Sequence, residues 1–278
     1  MAVDVASILG PLVVDPGATV LITDFDGTLS PIVEDPAAAR PLDGVPDMLD
    51  RLSVSFGLVA VVSGRPVRFL LEHLALHGSD TSRVRFFGLY GMEEVGPDGS
   101  TRLTAAAEPW LPVMVEVAVR LQTDAPTGVL VERKGAAVTV HWRRAAGAEP
   151  WVSRRVAEEA VRTGLVTHPG RASVELRPPL DIDKGTVVRG LTSGCRAACF
   201  LGDDLGDLPA FVALDRRANE DGMDVVTVAV RDDESAPEIV AAADVVVDGP
   251  EGARAILSWL ERAASGSGSE LGSSVPEG

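Results

Sequence analysis

Two aspartates, Asp24 and Asp26, lie in the segment Asp24–Leu29, which reads DFDGTL and follows the apolar run Val20–Thr23. If that run is a strand of a parallel sheet, both carboxylates lie at its carboxyl end, where such sheets bind ligands. Carboxylates this close repel each other unless a cation or a proton offsets their charge, and Mg²⁺ prefers oxygen ligands. One carboxylate could then attack a phosphorus atom while the other protonates the leaving oxygen. The segment therefore indicates phosphoryl transfer, with a solvent-exposed acidic turn as the alternative interpretation.

Three further segments carry groups that suit the same chemistry. Ser63–Arg65 follows the apolar run Leu58–Val62 and offers a hydroxyl and backbone N–H groups for an anion, or alternatively a helix cap. Lys184 precedes a helical run and could neutralise phosphate charge, although it could equally be a surface lysine. Gly202–Asp207 follows the run Ala197–Leu201 and adds three carboxylates, which require a cation or serve as an acidic helix start.

Positioning these groups together requires a parallel sheet, and the hydrophobic pattern predicts one. Short runs rich in Val, Ile, Leu and Ala alternate with helical patterns, which is typical of a sheet with helices on both faces. The strands are predicted at Val20–Thr23, Leu58–Val62, Val84–Phe87, Ala197–Leu201, Val225–Val230 and Val245–Val247. The helices are predicted at Val45–Ser55, Val67–Leu76, Gly185–Thr192, Leu205–Ala213 and Ala253–Ala263.

The block from about Glu108 to Leu176 has a different pattern. Its predicted order is helix, strand, strand, helix, strand, strand, at Glu108–Thr123, Gly128–Val131, Ala136–His141, Trp151–Thr163, Leu165–His168 and Ala172–Leu176. This αββαββ order predicts a small open sheet with helices on one face, inserted into the larger domain. The predicted division is a discontinuous core at 1–100 and 178–264, a cap at 101–177, and a flexible Gly/Ser-rich tail at 265–278.

The composition excludes several classes of protein. The 278 residues contain 25 Lys and Arg against 41 Asp and Glu, a net charge of −16, which disfavours nucleic-acid and anionic-membrane partners. Residues 1–10 lack the pattern of a secretory signal, and no apolar stretch approaches the roughly 20 residues that span a bilayer. Cys195 and Cys199 predict neither a disulfide framework nor a zinc site. The predicted location is cytoplasmic.

In chain order, the DxDGTL segment, Ser-Gly-Arg, a lysine and GDDxxD resemble the haloacid dehalogenase-like phosphatase superfamily. Within it, the chain is similar to the trehalose-6-phosphate phosphatases. The stretches that carry this resemblance are Asp24–Ile32, Val62–Pro66, Glu132–Lys134, Val140–Arg143, Val174–Pro178 and Lys184–Gly185. The resemblance covers roughly residues 19–262 and implies a Rossmann-like parallel core with an inserted αββαββ cap.

The resemblance also implies a reaction: Mg²⁺-dependent hydrolysis of trehalose 6-phosphate to trehalose and phosphate, through an aspartyl-phosphate, as the last step of trehalose biosynthesis. Asp24 is then the nucleophile, and Asp26 is the general acid and base. Both are expected to bind the metal, Asp26 through its backbone carbonyl. Thr28 is expected to orient Asp26, while Ser63 and Lys184 bind the phosphoryl oxygens.

The remaining implied roles concern the metal and the sugar. Asp203 is expected to ligate Mg²⁺ directly, with Asp204 and Asp207 supporting the metal. The other expected substrate-binding residues are Gly64, Arg65, Glu132, Lys134, His141 and Glu175.

Three positions in two segments depart from the family pattern, and several alternatives stay open. Gly206 and Leu208 replace a threonine and a glutamate, and Tyr90 stands where a histidine is common. The same chemistry could act on a sucrose-phosphate or mannosylglycerate-phosphate type of substrate, or the chain could be a non-catalytic sugar-phosphate sensor. A phosphoacceptor receiver domain is disfavoured by the spacing of Asp24 and Asp26 and by the inserted block. Association with a trehalose-6-phosphate synthase is left open.

Overall fold

The computed structural model describes residues 5–33, 35–74, 83–96, 98–170, 172–233 and 235–266. The predicted flexible tail lies outside these ranges apart from its first two residues. The last two residues of the helix predicted at Val67–Leu76 also lie outside them.

Strands and helices alternate along most of the described chain. The strands are β1 (Thr19–Thr23), β2 (Leu58–Val62), β3 (Arg85–Gly88), β4 (Glu93–Val95), β5 (Thr101–Leu103), β6 (Leu130–Arg133), β7 (Val138–His141), β8 (Val166–Gly170), β9 (Ser173–Arg177), β10 (Ala197–Gly202), β11 (Asp224–Arg231) and β12 (Val245–Asp248). The helices are α1 (Val5–Leu9), α2 (Val45–Ser55), α3 (Val67–Leu74), α4 (Leu111–Asp124), α5 (Glu149–Thr163), α6 (Lys184–Leu191), α7 (Leu208–Asp221), α8 (Pro237–Ala241) and α9 (Gly249–Ala264).

The larger sheet has the strand order β12-β11-β10-β1-β2-β3-β4-β5. Its central strand β1 runs parallel to β10 and β2, with Thr23 paired to Leu201 and Val61. Every residue of β1 and β10 is buried, which is typical of the central strands of a parallel sheet. The predicted parallel sheet is therefore confirmed.

The antiparallel pair β4 and β5 was not predicted. Each strand has three residues, and charged or polar side chains such as Glu94 and Arg102 interrupt the apolar pattern that marks a buried strand. The start of α7 also differs from the prediction, because a 3₁₀ turn at Leu205–Asp207 precedes it. Pro209 follows the first residue of α7, where a missing N–H costs nothing.

The chain divides into two compact units. The first consists of Met1–Ser63, Phe69–Phe86 and Asp183–Gly278, and the second of Gly64–Arg68 and Phe87–Ile182. The predicted cap at 101–177 lies within the second unit, which also includes the short strands β4 and β5.

The second unit contains a four-stranded antiparallel sheet of order β6-β7-β9-β8. Its elements from α4 to β9 follow the predicted order of helix, strand, strand, helix, strand, strand. Met114, Val117 and Leu121 of α4 are spaced three or four residues apart and pack with Val152 and Val156 of α5 in its core. Among the described helices of the whole chain, none combines the length and apolar character needed to cross a bilayer.

Candidate active site

Strand β1 delivers Asp24 to the carboxyl edge of the larger sheet. Its backbone N–H donates a hydrogen bond of 2.9 Å to the carbonyl oxygen of Leu201, near the end of β10. The chain then turns sharply, because the N–H groups of Leu29 and Ser30 both donate to the carbonyl of Phe25. The loop is therefore closed on itself, and Asp24 is fixed by the strand that precedes it.

Gly27 in this turn meets two requirements. Its φ of +73° lies in the left-handed region that glycine adopts without steric cost. A Cβ at this position would lie 2.0 Å from Oδ2 of Asp203, so the absent side chain makes room for that carboxylate. The glycine of the DFDGTL segment therefore serves both the turn and the packing of the aspartate that follows β10.

Four charged groups meet at this edge: Asp24, Lys184, Asp203 and Asp207, referred to below as the aspartate–lysine cluster. Lys184 Nζ lies 2.9 Å from Asp24 Oδ1 and 2.6 Å from Asp207 Oδ1. Each of the four residues is at most 5% exposed. Lys184 is the first residue of α6, and Asp183 caps that helix by accepting from the N–H of Thr186 at 2.7 Å.

Asp207 and Asp204 are engaged in holding the loop after β10. Asp207 Oδ2 accepts hydrogen bonds from the N–H groups of Asp203 and Asp204, at 3.0 and 3.3 Å, while Oδ1 contacts Lys184. Asp204 accepts from the N–H of Gly206 at 2.8 Å. This hydrogen bond comes from the backbone N–H group of residue 206, so a glycine at that position still supports the loop. Leu208 is the first residue of α7.

Burial and mutual repulsion perturb the cluster strongly. Burial raises the pKa of Asp24 to about 6 and that of Asp207 to about 8, although Lys184 opposes both shifts. Burial and the neighbouring carboxylates raise the pKa of Asp203 well above its ordinary value. Burial alone would lower the pKa of Lys184, but Asp207 and Asp24 outweigh it and raise that pKa. Three carboxyl groups thus share one lysine, so that their full ionisation would place more negative charge at this edge than Lys184 offsets.

The donor set fits a divalent cation. Asp24, Asp203 and Asp207 each offer an oxygen, and these atoms lie within 4.8 Å of one another. Carboxylate oxygens are the kind of ligand that Mg²⁺ prefers. Among the described residues, none donates a hydrogen bond to the Asp203 carboxylate. Because Asp207 is engaged by Lys184 and two N–H groups, Asp203 and Asp24 are the better candidates for ligands.

The other predicted residues of this site lie on the same edge of the sheet. Asp26 is half-buried in the turn after β1, and Ser63 is buried directly after β2, the neighbour of β1. Thr28 is fully buried, but its hydroxyl has no hydrogen-bond partner among the described residues. The expected role of Thr28 in orienting Asp26 therefore stays a prediction.

Strands β6, β7 and β9 of the second unit carry a further group of polar side chains, the mixed-charge cluster. Its members are Glu132, Lys134, Thr139, His141, Glu175 and Arg177. His141 Nε2 lies 2.8 Å from Glu132 Oε2. Glu175 Oε1 accepts from Lys134 at 3.1 Å and from Thr139 at 2.9 Å. The structure therefore brings the predicted residues Glu132, Lys134, His141 and Glu175 together.

Cations outweigh burial in this cluster. Burial would raise the pKa of Glu175, but Lys134 and Arg177 outweigh it and lower the pKa to about 2. The pKa of Glu132 is also lowered, since the hydrogen bond to His141 and the charges of Lys134 and Arg65 outweigh its burial. Because the charge of Arg65 helps to lower the pKa of Glu132, the predicted substrate-binding residue Arg65 is electrostatically coupled to the cluster.

Sequence reasoning missed Thr139 and Arg177. Arg177 Nε donates to Glu175 Oε2 at 2.5 Å. The two residues are two positions apart in β9 and therefore share one face of the strand. Thr139 is the register partner of Glu175 in the antiparallel pair β7–β9. The period-two spacing could have indicated Arg177, whereas Thr139 requires knowledge of the strand register.

The family model described as trehalose-phosphatase matches residues 22–243 of the chain. The chain belongs to the trehalose-phosphatase family. The match includes both the aspartate–lysine cluster and the mixed-charge cluster. The family membership that the sequence resemblance indicated is therefore confirmed.

Similarity to a curated member of the trehalose-phosphatase family supports this assignment. A trehalose-phosphate phosphatase of Mycobacterium avium (strain 104) is 38% identical over 201 residues, covering 69% of this chain and 50% of that protein. The chain thus spans about half the length of this relative.

Two solved structures share the fold. The crystal structure of a trehalose-6-phosphate phosphatase related protein has a TM-score of 0.75 at 24% identity and covers 89% of this chain and 99% of its own. The C-terminal domain of the C. albicans trehalose-6-phosphate phosphatase has a TM-score of 0.70 at 24% identity, covering 92% and 96%.

Proposed function

We propose that this chain is a Mg²⁺-dependent phosphatase that hydrolyses trehalose 6-phosphate to trehalose and phosphate. The observation that carries the proposal is the buried aspartate–lysine cluster, at the carboxyl edge of a parallel sheet in a chain of the trehalose-phosphatase family. Asp24 is held there by strand β1 beside a lysine that can offset phosphate charge.

Asp24 is the proposed nucleophile. Its carboxylate oxygen attacks phosphorus while the bond from phosphorus to the sugar oxygen breaks, and Asp26 donates a proton to that oxygen. The aspartyl-phosphate on Asp24 is then attacked by water, whose proton passes to Asp26. Phosphate leaves, and the Asp24 carboxylate and the proton on Asp26 are restored.

The other residues of the site would hold charge and orientation. Lys184 and the hydroxyl of Ser63 would contact phosphoryl oxygens, which gain negative charge in the transition state. The buried hydroxyl of Thr28 is available to orient Asp26. Lys184 is kept protonated by Asp207 and Asp24, so it supplies a permanent positive charge.

Asp24, Asp203 and the backbone carbonyl of Asp26 would hold Mg²⁺, with Asp204 and Asp207 in support. Bound Mg²⁺ supplies positive charge that offsets the charge of the phosphoryl group. Asp207 would act by fixing Lys184 and the loop that presents Asp203.

The sugar is the proposed ligand of the second unit, which would act as the cap. A neutral polyol requires donors and acceptors in fixed positions, and the mixed-charge cluster provides them on a rigid sheet. Glu132, Lys134, His141 and Glu175 are the proposed contacts, with Gly64 and Arg65 nearby in sequence to the phosphate-binding Ser63. The cytoplasmic location and the lack of nucleic-acid and membrane partners stay predictions, and association with a synthase stays open.

Phosphate release tests the proposal directly. Trehalose 6-phosphate, sucrose 6-phosphate, glucose 6-phosphate and mannosyl-3-phosphoglycerate are compared with p-nitrophenyl phosphate, each with Mg²⁺ and with EDTA. We expect preference for trehalose 6-phosphate, loss with EDTA, and a fall of more than about 1000-fold in Asp24→Asn. Asp43→Asn, at an exposed position, is the matched control.

The alternatives give different outcomes. Preference for another sugar phosphate would keep the chemistry and overturn the proposed substrate. Turnover that is unaffected in Asp24→Asn would overturn the proposed nucleophile. A folded protein that releases phosphate from none of the five compounds would favour a sugar-phosphate sensor.

A further inference from the structure

Tyr90, where the family often has a histidine, adopts an uncommon backbone conformation. Its φ is +62°, and that of the preceding Leu89 is +50°. Residues other than glycine adopt this backbone region at an energetic cost, and residues in such conformations concentrate at functional sites. Leu89 is fully buried, and its N–H donates to the carbonyl of Arg65 at 3.0 Å. The surrounding structure therefore holds Tyr90 in this conformation.

The Tyr90 ring lies between Arg177 of the mixed-charge cluster and Gly64, both in the second unit. The guanidinium carbon of Arg177 lies 3.3 Å from the ring centroid, so the cation packs on the face of the ring. At the hydroxyl end, a Cβ added to Gly64 would lie 2.6 Å from the Tyr90 oxygen. The phenol thus fits only because residue 64 has no side chain.

Arg177 connects this ring to the mixed-charge cluster. Its Nε donates to Glu175 Oε2, while Glu175 Oε1 accepts from Lys134 and Thr139. A carboxylate has about four acceptor positions, so three are in use and Glu175 is held by partners on three sides. The orientation of Lys134, which shares Glu175, therefore depends on the position of Arg177.

We infer that Tyr90 is a positioning residue for sugar recognition. Its ring holds the Arg177 guanidinium against Glu175, and this arrangement fixes the donors that a sugar hydroxyl would meet. The inference rests on the proposed function, because it concerns the selectivity of that same site. Loss of the aromatic face should impair turnover of the sugar phosphate more than turnover of a small phosphate ester.

Two substitutions distinguish the contribution of the aromatic ring of Tyr90 from that of its hydroxyl group. Tyr90→Leu removes the aromatic face but keeps apolar volume, and Tyr90→Phe keeps the face. For Tyr90→Leu, we expect the ratio of kcat/KM for trehalose 6-phosphate to that for p-nitrophenyl phosphate to fall about 10-fold, mainly through KM. For Tyr90→Phe, a change within about 3-fold is expected, because the contact with the cation is retained.

Arg177→Lys provides an independent variant, since lysine keeps the charge but not the planar group that stacks on the ring. The double variant Tyr90→Leu/Arg177→Lys should show strong non-additivity, because both changes remove the same contact. The matched control is Arg120→Lys. Arg120 also pairs through Nε with a buried glutamate of the second unit, Glu159 at 2.9 Å, and its substitution should leave the ratio unchanged.

The outcomes distinguish this inference from the proposed function. Equal losses on both substrates in folded Tyr90→Leu, or additive effects in the double variant, would overturn the inference while the proposed function stands. A loss in Tyr90→Phe as large as in Tyr90→Leu would overturn the role of the ring face. If Tyr90→Leu does not fold, an unchanged ratio in Arg177→Lys overturns the inference. A wild-type protein that hydrolyses p-nitrophenyl phosphate but no sugar phosphate would overturn the proposed function, and the inference with it.

Discussion

The aspartate–lysine cluster and the mixed-charge cluster are built from similar groups, but their charges balance differently. In the first, Asp24, Asp203 and Asp207 share Lys184, and the pKa values of all three carboxyl groups are raised. In the second, Lys134 and Arg177 offset Glu132 and Glu175, and the pKa values of both carboxyl groups are lowered. Both clusters are largely buried, so burial alone does not explain the difference.

The difference indicates how well the charges of each cluster are satisfied when no ligand is bound. Full ionisation of the three carboxyl groups in the first cluster is unfavourable without a cation, so the proposed metal binding would stabilise this cluster. The charges of the second cluster are already satisfied, so its donors and acceptors stand in fixed positions. Such preorganisation suits recognition of a neutral polyol, whose hydroxyl groups carry no charge that could reorganise the site.

The largest expected effect on stability comes from removing the single lysine of the first cluster. Lys184→Met leaves Asp24 and Asp207 facing each other without a positive charge. The free energy of unfolding should fall by about 3–5 kcal/mol, as when one partner of a buried ion pair is removed. Urea unfolding in the presence of chelator measures the loss.

Lys134→Met is the matched variant in the second cluster. Since Arg177 and Thr139 still contact Glu175, the expected loss is only about 1–2 kcal/mol. Equal losses in the two lysine variants would remove the distinction between the clusters.

Acid should weaken the second cluster through Glu175. Its pKa is about 2 in the folded chain against an ordinary 4.5, so its charged form stabilises the fold above pH 4.5. That contribution is lost as pH falls from about 4.5 toward about 2. At about 1.36 kcal/mol for each pH unit of difference, it amounts to about 3 kcal/mol.

The measurement compares wild type with Glu175→Gln in urea unfolding at several pH values between 6 and 2.5. The advantage of the wild type should shrink as pH falls. Glu220→Gln, at an exposed position of α7, provides the control. An advantage for the wild type that is constant over this range would contradict the charged role of Glu175.

An effect as small as that of Lys134→Met, but of opposite sign, is expected when one carboxylate is removed from the first cluster. Asp203→Asn removes one of three carboxylates from the first cluster, so the metal-free protein should gain about 1–2 kcal/mol, or about 2–4 °C in melting temperature. Mg²⁺ should raise the melting temperature of the wild type but have little effect on this variant. Asp221→Asn is the exposed control. A loss of stability in metal-free Asp203→Asn would show that the carboxylate is structurally required.

The sequence reveals the first cluster more fully than the second. Asp24, Ser63 and Asp203 each follow a continuous apolar run, and strands of a parallel sheet end at one edge, so their meeting could be predicted. The expected roles of Glu132, Lys134 and Glu175 are implied only by the resemblance to the family. Their spacing alone indicated no site, because charged side chains on strands that face solvent look the same in sequence.

Several features of the fold could not be read from the sequence. The strands β4 and β5 are too short and too polar to show a period. The pairing of Thr139 with Glu175 depends on the register of two strands that are separated by helix α5. The contact of Arg177 with Tyr90 joins residues 87 positions apart, on elements whose approach depends on the glycine at position 64.

The sequence by itself thus determined the parallel sheet, the edge at which its carboxylates gather and the excess of acidic over basic groups there, because these follow from local hydrophobic pattern and residue type. Tertiary structure alone decided which carboxylates contact the lysine, which one is held by backbone N–H groups, and which one accepts no hydrogen bond from the part of the chain that the structure describes. Those assignments depend on contacts of 2.6 and 2.9 Å between segments far apart in the chain. Only the packed structure sets such distances, and they distinguish Asp207, which holds the loop, from Asp203, which is a candidate metal ligand.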